Sequence, residues 1–167
     1  MRKNTKNLTR GALIAALYVA LCHLQNFIIP GSASFVIQFR AAEALCVLAL
    51  FSTSAIWGLP IGCLIFALTS GAPPMDIVFG PLASLLAAVA MFTLRKVTVK
   101  GYPLPAMLMP AIFNAFIIGW ALSYTMGFGF WINAAYIAIG EVAVLLTLGS
   151  ALFYGLQKRQ LGARLFS

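Results

Sequence analysis

The sequence predicts an all-α membrane protein, a bundle of six transmembrane helices. Hydrophobic residues make up 62% of the 167 residues and charged residues only 8%, whereas about a quarter of the residues in a soluble domain are charged. The apolar residues form continuous runs and do not alternate with polar ones, which favours helices over a spanning barrel. The basic residues behind the net charge of +8 lie at the ends of these runs, as topology signals do, and indicate no nucleic-acid partner.

Turn signals set the first three spans. Pro30 and Gly31 end the first apolar run, because such a pair interrupts a helix. The tetrad from Trp57 to Pro60 predicts a tight turn that divides the next apolar stretch into two short spans, and a Gly-Ala-Pro-Pro sequence follows the second of these. The three spans are expected over 11–29, over 41–56, and from the 57–60 turn to residue 70.

The last three spans are separated by charge and by glycine. Arg95 and Lys96 end the fourth apolar run, and Gly127 and Gly129 lie between the fifth and sixth runs. We expect these spans over 76–94, 105–124 and 130–156. The whole chain, 1–167, then forms a single transmembrane domain.

Positive charge decides between five spans and six. Three basic clusters lie outside the apolar runs: Arg2, Lys3, Lys6 and Arg10; Arg95, Lys96 and Lys100; and Lys158, Arg159 and Arg164. Basic loops stay on the cytoplasmic side of a membrane. Six spans place all three clusters there, whereas five would move the last two outside. Both termini are therefore expected in the cytoplasm.

Polar side chains within the sixth and fifth spans are candidates for a substrate site. Glu141 costs roughly 2.5 to 3.5 kcal/mol in a helix centre, and such a residue is typical of function; the alternative is a structural hydrogen bond to another helix. Asn133 lies eight residues earlier on nearly the same helical face, and Tyr136 flanks that face. Asn114 either belongs to the same site or joins two spans.

A second polar group lies in the stretch "VIQFRAAEALCVLALF", residues 36–51. Arg40 is the only basic residue outside the three clusters, and Glu43 can pair with it at helical spacing. Together with Gln38 they form either the wall of an outward-facing pocket or a brace for the outer loop. Asp76 opens the fourth span and either caps that helix or faces the same pocket.

The sequence contains no motif of an enzyme or a metal protein. A Walker A loop, a serine–histidine–acid arrangement and an HExxH helix are all missing from it, so we expect neither catalysis nor a cofactor. His23 stands without other metal ligands. The cysteines, Cys22, Cys46 and Cys63, lie singly in apolar surroundings, where we expect them to pack as small hydrophobic residues.

The first span carries a stripe of small residues. Ala12, Ala16 and Ala20 recur every four residues, and Gly11 and Ala15 are offset from them. Small residues at this spacing let two helices approach closely. The stripe therefore serves either packing within the bundle or the docking of a partner protein.

Five segments spread over the chain resemble one known family. They are "TRGALIAALYVAL", "IQFRAAEAL", "DIVFGPLASLLAA", "FNAFIIG" and "NAAYIAIGE", and in this order they are similar to the QueT family, substrate-binding S components of energy-coupling factor (ECF) transporters. The doublet Ala41-Ala42 and Pro81 are small departures. The resemblance implies the ECF S-component fold in the bacterial cytoplasmic membrane.

The resemblance also implies a substrate and partners. The S components of the QueT family take up queuosine precursors, chiefly 7-aminomethyl-7-deazaguanine, together with a transmembrane coupling subunit and two ATPase subunits. The stripe of Ala12, Ala16 and Ala20 would dock on the coupling subunit within the membrane lipid.

For that ligand we assign roles to the polar residues as a hypothesis. Glu141 accepts hydrogen bonds from the N1–H and amine edge, and Asn114 and Asn133 bind O6 or the ring nitrogens. Glu43 or Asp76 balances the aminomethyl cation, while Arg40 holds Glu43. Open alternatives are a proton-coupled carrier that works alone, an S component for queuine or another vitamin, and a membrane protein that transports nothing.

Overall fold

A computed structural model describes residues 2–30, 39–127 and 129–158, and this part of the chain is helical apart from loops and one isolated backbone pairing. In chain order the helices are α1 (Arg2–Ile28), a 3₁₀ helix (Ala41–Leu50), α2 (Ser54–Thr69), α3 (Pro74–Leu94), the one-turn α4 (Leu104–Met107), α5 (Met109–Met126), α6 (Phe130–Val144), a π-helical segment (Leu145–Gly149) and α7 (Ser150–Lys158). The predicted all-α class is confirmed.

Four of these helical stretches are long and apolar enough to cross a membrane. They are Asn4–Ile28, Pro74–Leu94, Leu104–Thr125 and Phe130–Lys158. They coincide with the first, fourth, fifth and sixth expected spans. The 3₁₀ helix and α2 are apolar but shorter. The count of six spans and the orientation of the chain stay predictions.

The predicted turn at 57–60 is wrong, because these residues lie inside α2 and the chain breaks instead at 51–53. The glycine of the tetrad serves helix packing. A Cβ on Gly58 would lie 2.7 Å from the carbonyl oxygen of Gly11, so only glycine permits this approach of α1 and α2. Pro60 is accommodated within the helix.

The 3₁₀ helix lies at the centre of the bundle and packs against α1, α2, α3, α6, α7 and the π-helical segment. Side chains three residues apart eclipse on such a helix. One row therefore runs through Arg40, Glu43, Cys46 and Ala49, all of them buried. Runs of 3₁₀ helix longer than three or four residues are uncommon, and this one has 10. It brings a charged pair into the core.

Glycine also sets the contact between α1 and α2 one turn further along. A Cβ on Gly62 would lie 2.9 Å from the carbonyl oxygen of Ala15 and 2.8 Å from the Cβ of Tyr18. The backbones of the two helices are thus in direct contact. We expect this contact to depend on glycine at position 62.

Replacing Gly62 with alanine should lower the thermal unfolding temperature in detergent, because the added methyl forces α1 and α2 apart. Overpacking of this kind costs about 1 to 3 kcal/mol. Gly155 in α7 is the matched control, since a Cβ there meets no atom within 4 Å. Gly155→Ala should leave the unfolding temperature unchanged or raise it. If the Gly62→Ala variant and the wild type had the same unfolding temperature, the close contact of α1 and α2 at Gly62 would be contradicted.

The small residues of α1 divide between two faces. Gly11 and Ala15 are buried against α2, whereas Ala12, Ala16 and Ala20 are exposed on the outer surface of the bundle. Gly11 and Ala15 therefore pack within the bundle. The stripe of Ala12, Ala16 and Ala20 is left on the outer surface, where a partner protein can contact it.

Candidate functional site

The carboxylate of Glu43 is buried, and each of its oxygens accepts a hydrogen bond. The Tyr18 hydroxyl donates to its Oε1 at 2.6 Å, and the Cys46 thiol donates to its Oε2 at 3.1 Å. A guanidinium nitrogen of Arg40 lies 3.9 Å from Oε1, so the predicted pairing of Arg40 with Glu43 is confirmed. Each oxygen of Glu43 has a partner from the protein itself.

This cluster ties three helices together. Tyr18 comes from α1, Glu43 and Cys46 from the 3₁₀ helix, and the Arg40 guanidinium also lies 3.9 Å from Sγ of Cys63 in α2. Tyr18 was not among the predicted site residues, because it is 25 residues from Glu43 and no spacing in the sequence links the two. The cysteines are free and buried, as expected, but Cys46 and Cys63 also contact charged groups.

The carboxylate of Glu141 is buried in α6 and only half satisfied. Asn114 in α5 donates from its Nδ2 to Oε1 of Glu141 at 2.9 Å. The other oxygen, Oε2, is buried and has no hydrogen-bond partner among residues 2–30, 39–127 and 129–158. A buried acceptor without a donor costs about 1 to 3 kcal/mol, more when it is charged. Oε2 of Glu141 can therefore accept a hydrogen bond from a ligand.

The predicted polar face of α6 is present in part. Asn133 is buried on the same face as Glu141 and donates to the Ser123 hydroxyl of α5 at 3.1 Å, which gives a second polar link between α5 and α6. Tyr136 lies on the other side of α6 and is 42% exposed. The structure does not bring Tyr136 to the buried carboxylate, because position 136 falls outside the helical face of 133, 137 and 141.

A small cavity lies beside Arg40, between α2, α3 and α5. Its walls include Arg40 and Asp76, which present opposite charges, and the apolar side chains of Phe66 and Ile118. Its volume of about 10 Å³ holds no more than one water molecule. The cavity is thus far smaller than a bicyclic base, and such a ligand fits only if the walls move apart.

Asp76 lies in the first turn of α3, where the helix dipole favours a negative charge. It is partly buried and lines the cavity. The structure therefore places Asp76 and Arg40 in the wall of the same cavity.

We name the two carboxylate clusters and the cavity together the polar centre and define it as Tyr18, Arg40, Glu43, Asp76, Asn114 and Glu141. Arg40 pairs with Glu43 and also lines the cavity. Ile118 in the cavity wall lies one turn from Asn114 on α5. Gln38, the remaining candidate, lies outside the described residues.

The polar centre contains all three acidic residues of the chain and one cation. No group of three histidine, cysteine or acidic side chains suited to a metal ion occurs in the described part of the chain. The arrangement offers hydrogen-bond acceptors and negative charge within an apolar bundle. It is suited to recognising a ligand that carries N–H donors or a cation.

One comparison with known proteins gives a match. The sequence model described as QueT transporter matches residues 8–158, a range that includes every residue of the polar centre. No curated protein and no solved structure matches the chain.

Proposed function

This chain belongs to the QueT transporter family, and from that membership and the polar centre we propose that it is the substrate-capture S component of an ECF importer. Its substrate is a 7-deazaguanine, in the first place 7-aminomethyl-7-deazaguanine. The described part of the chain contains four long apolar helices, in keeping with a multi-pass membrane protein. A coupling subunit and two ATPase subunits complete the importer.

The proposal includes six spans with both termini in the cytoplasm. A 3₁₀ helix rises about 2.0 Å per residue, so the 10 residues of Ala41–Leu50 extend about 20 Å, further than the same residues in an α-helix. This length supports a short span that the surrounding helices shield from lipid. The basic clusters at 2–10 and 95–100 support the orientation.

The observation that carries the proposal is the free oxygen of Glu141. A deazaguanine presents N1–H and an exocyclic amine side by side, and a carboxylate accepts both. Asn114 already occupies one site on Oε1 and fixes the orientation of the carboxylate. Hydrogen bonds to a charged group contribute about 1.5 to 3 kcal/mol each, so this pair supplies about a quarter to a half of the 12 kcal/mol that nanomolar binding needs.

The other charged residues have different roles. Both oxygens of Glu43 already have partners in Tyr18, Cys46 and Arg40, which supports a structural role rather than ligand contact. Asp76 lines the cavity and is the better counter-charge for the aminomethyl cation. Binding opens the cavity, and Phe66 in its wall offers a ring against which a flat base stacks.

The exposed alanine stripe suits docking on the coupling subunit. We expect Ala16→Leu together with Ala20→Leu to abolish uptake while leaving ligand affinity unchanged, because the added side chains project from the outer face of α1. Ala135→Leu is the matched control, since Ala135 is exposed on α6. Uptake is measured with labelled ligand in cells, and ligand affinity is measured with the purified protein. Loss of binding in the double variant would assign the stripe to internal packing instead.

A proton-coupled carrier that works alone is the alternative, because a buried carboxylate such as Glu141 also suits proton transfer. Uptake should be measured in cells with and without the ECF ATPase subunits, and with and without a protonophore. We expect uptake to require the ATPases. Uptake that persists without them and collapses with the proton gradient would favour the carrier.

A further inference from the structure

A second cavity lies at the end of the bundle where α3 stops. Its volume is about 330 Å³, within the range of small-molecule sites. The loop after α3, the end of the 3₁₀ helix and α7 line it, and it is open on one side. Its floor is apolar, formed by Leu50, Phe51 and Phe153, and its rim carries Arg95, Lys96 and Thr98. The cavity is thus amphiphilic.

The rim is positively charged, and no carboxylate balances it. The three acidic residues of the chain, Glu43, Asp76 and Glu141, are all absent from this lining. Arg95 is held in place, because its NH1 donates to the carbonyl oxygen of Phe92 at 3.3 Å and its guanidinium lies 3.6 Å from the centre of the Phe92 ring. Lys96 is exposed and makes no ion pair among the described residues. An anion would find two cations at this rim.

The walls of the cavity are built into the fold. Val99 and Tyr102 exchange two backbone hydrogen bonds of 2.8 and 3.1 Å, which closes the loop after α3. The Tyr102 hydroxyl lies 2.6 Å from the Ser150 hydroxyl of α7, and its ring packs edge-on against Phe153 at 5.6 Å. The loop is therefore fastened to α7, and the cavity does not depend on a loose segment.

The position of the rim matches the membrane surface. α3 is apolar and long enough to cross a membrane, and it ends at Leu94. Arg95 and Lys96 follow directly, as basic residues do where a span ends at the membrane surface. Basic cavities between membrane helices are typical sites for anionic headgroups.

We infer that this cavity binds the phosphate headgroup of an anionic phospholipid. The cations of the rim receive the phosphate, and the apolar floor of Leu50, Phe51 and Phe153 receives the glycerol end of the acyl chains. A free inorganic anion has no apolar part to pack against that floor, whereas a phospholipid does, so the lining favours the lipid. This site is separate from the polar centre, so the inference stands or falls independently of the substrate.

Native mass spectrometry of the purified full-length chain tests the inference. The protein is mixed with dioleoyl phosphatidylglycerol or with dioleoyl phosphatidylcholine, and retained lipid is counted. We expect phosphatidylglycerol to be retained in preference. Lys96→Gln should weaken that retention about fivefold, as expected for one basic residue near a membrane surface, and Lys96→Arg should preserve it.

Lys100→Asn is the matched control, because Lys100 lies in the same loop and carries the same charge but does not line the cavity. Its φ of 51° is a conformation that asparagine tolerates. An equal loss in Lys96→Gln and Lys100→Asn would overturn the inference and leave the basic residues as topology signals. Equal retention of both lipids would also overturn it, as would complete competition by inorganic phosphate. Unfolding temperatures of the variants confirm that each is folded.

Discussion

Replacing Glu141 with glutamine is expected to weaken the binding of 7-aminomethyl-7-deazaguanine by about 10- to 100-fold, the equivalent of one hydrogen bond to a charged group. Glutamine has the same shape, and its carbonyl oxygen still accepts the hydrogen bond from Asn114. Its amide nitrogen, however, replaces the free Oε2 and is a donor. Donors of the ligand would then face a donor of the protein. Isothermal titration of purified protein measures the loss.

Asp76→Asn provides the matched control, because it also removes one negative charge from the polar centre. Unsubstituted 7-deazaguanine keeps the N1–H and amine edge but lacks the aminomethyl cation. Glu141→Gln should weaken both ligands to a similar extent, whereas Asp76→Asn should weaken only the aminomethyl compound. If Glu141→Gln left the affinity within about threefold of the wild type, Glu141 would not be the recognising residue.

Replacing Glu43 with alanine is expected to destabilise the bundle by about 3 to 5 kcal/mol, the usual cost of breaking a buried ion pair. The change removes the acceptor for the Tyr18 hydroxyl and the Cys46 thiol and the counter-charge of Arg40. For a chain of this size the unfolding temperature should fall by roughly 6 to 20 °C. Thermal unfolding in detergent, followed by circular dichroism, measures the change.

Glu43→Gln separates the two contributions of this carboxylate. Its carbonyl oxygen still accepts from Tyr18, but the charge that faces Arg40 is lost. We therefore expect an unfolding temperature between those of the wild type and Glu43→Ala. A Glu43→Ala protein that melts like the wild type and fails to bind ligand would show that Glu43 is a ligand contact and not a brace.

Much of the fold followed from the sequence because long apolar runs have few alternatives in a membrane. The ends of α3 and the start of α6 agree with the expected spans to within two residues. The second span was less predictable. Nothing in "AAEALCVLAL" distinguishes a 3₁₀ helix from an α-helix, because tight packing on several sides, rather than local propensity, selects the narrower helix.

The charged residues of the candidate site could be predicted from the sequence, but their connections could not. The cost of burying charge singled out Arg40, Glu43 and Glu141 from the sequence. The partner of Glu43, Tyr18, comes from another helix, and only the packing of α1 against the 3₁₀ helix brings it there. The same holds for Phe66 in the cavity wall, since an aromatic residue in an apolar span carries no signal of its own.

The claim that the polar centre captures a 7-deazaguanine is tested most directly by the ligand that accompanies the protein. The full-length chain is purified in mild detergent from bacterial cells supplied with a mixture of nucleobases and vitamins, denatured, and the released small molecules are identified by mass spectrometry. We predict that 7-aminomethyl-7-deazaguanine is released from the wild type and is depleted from Glu141→Gln. Release of an unrelated vitamin, or the same ligand in equal amount from both proteins, would contradict the account.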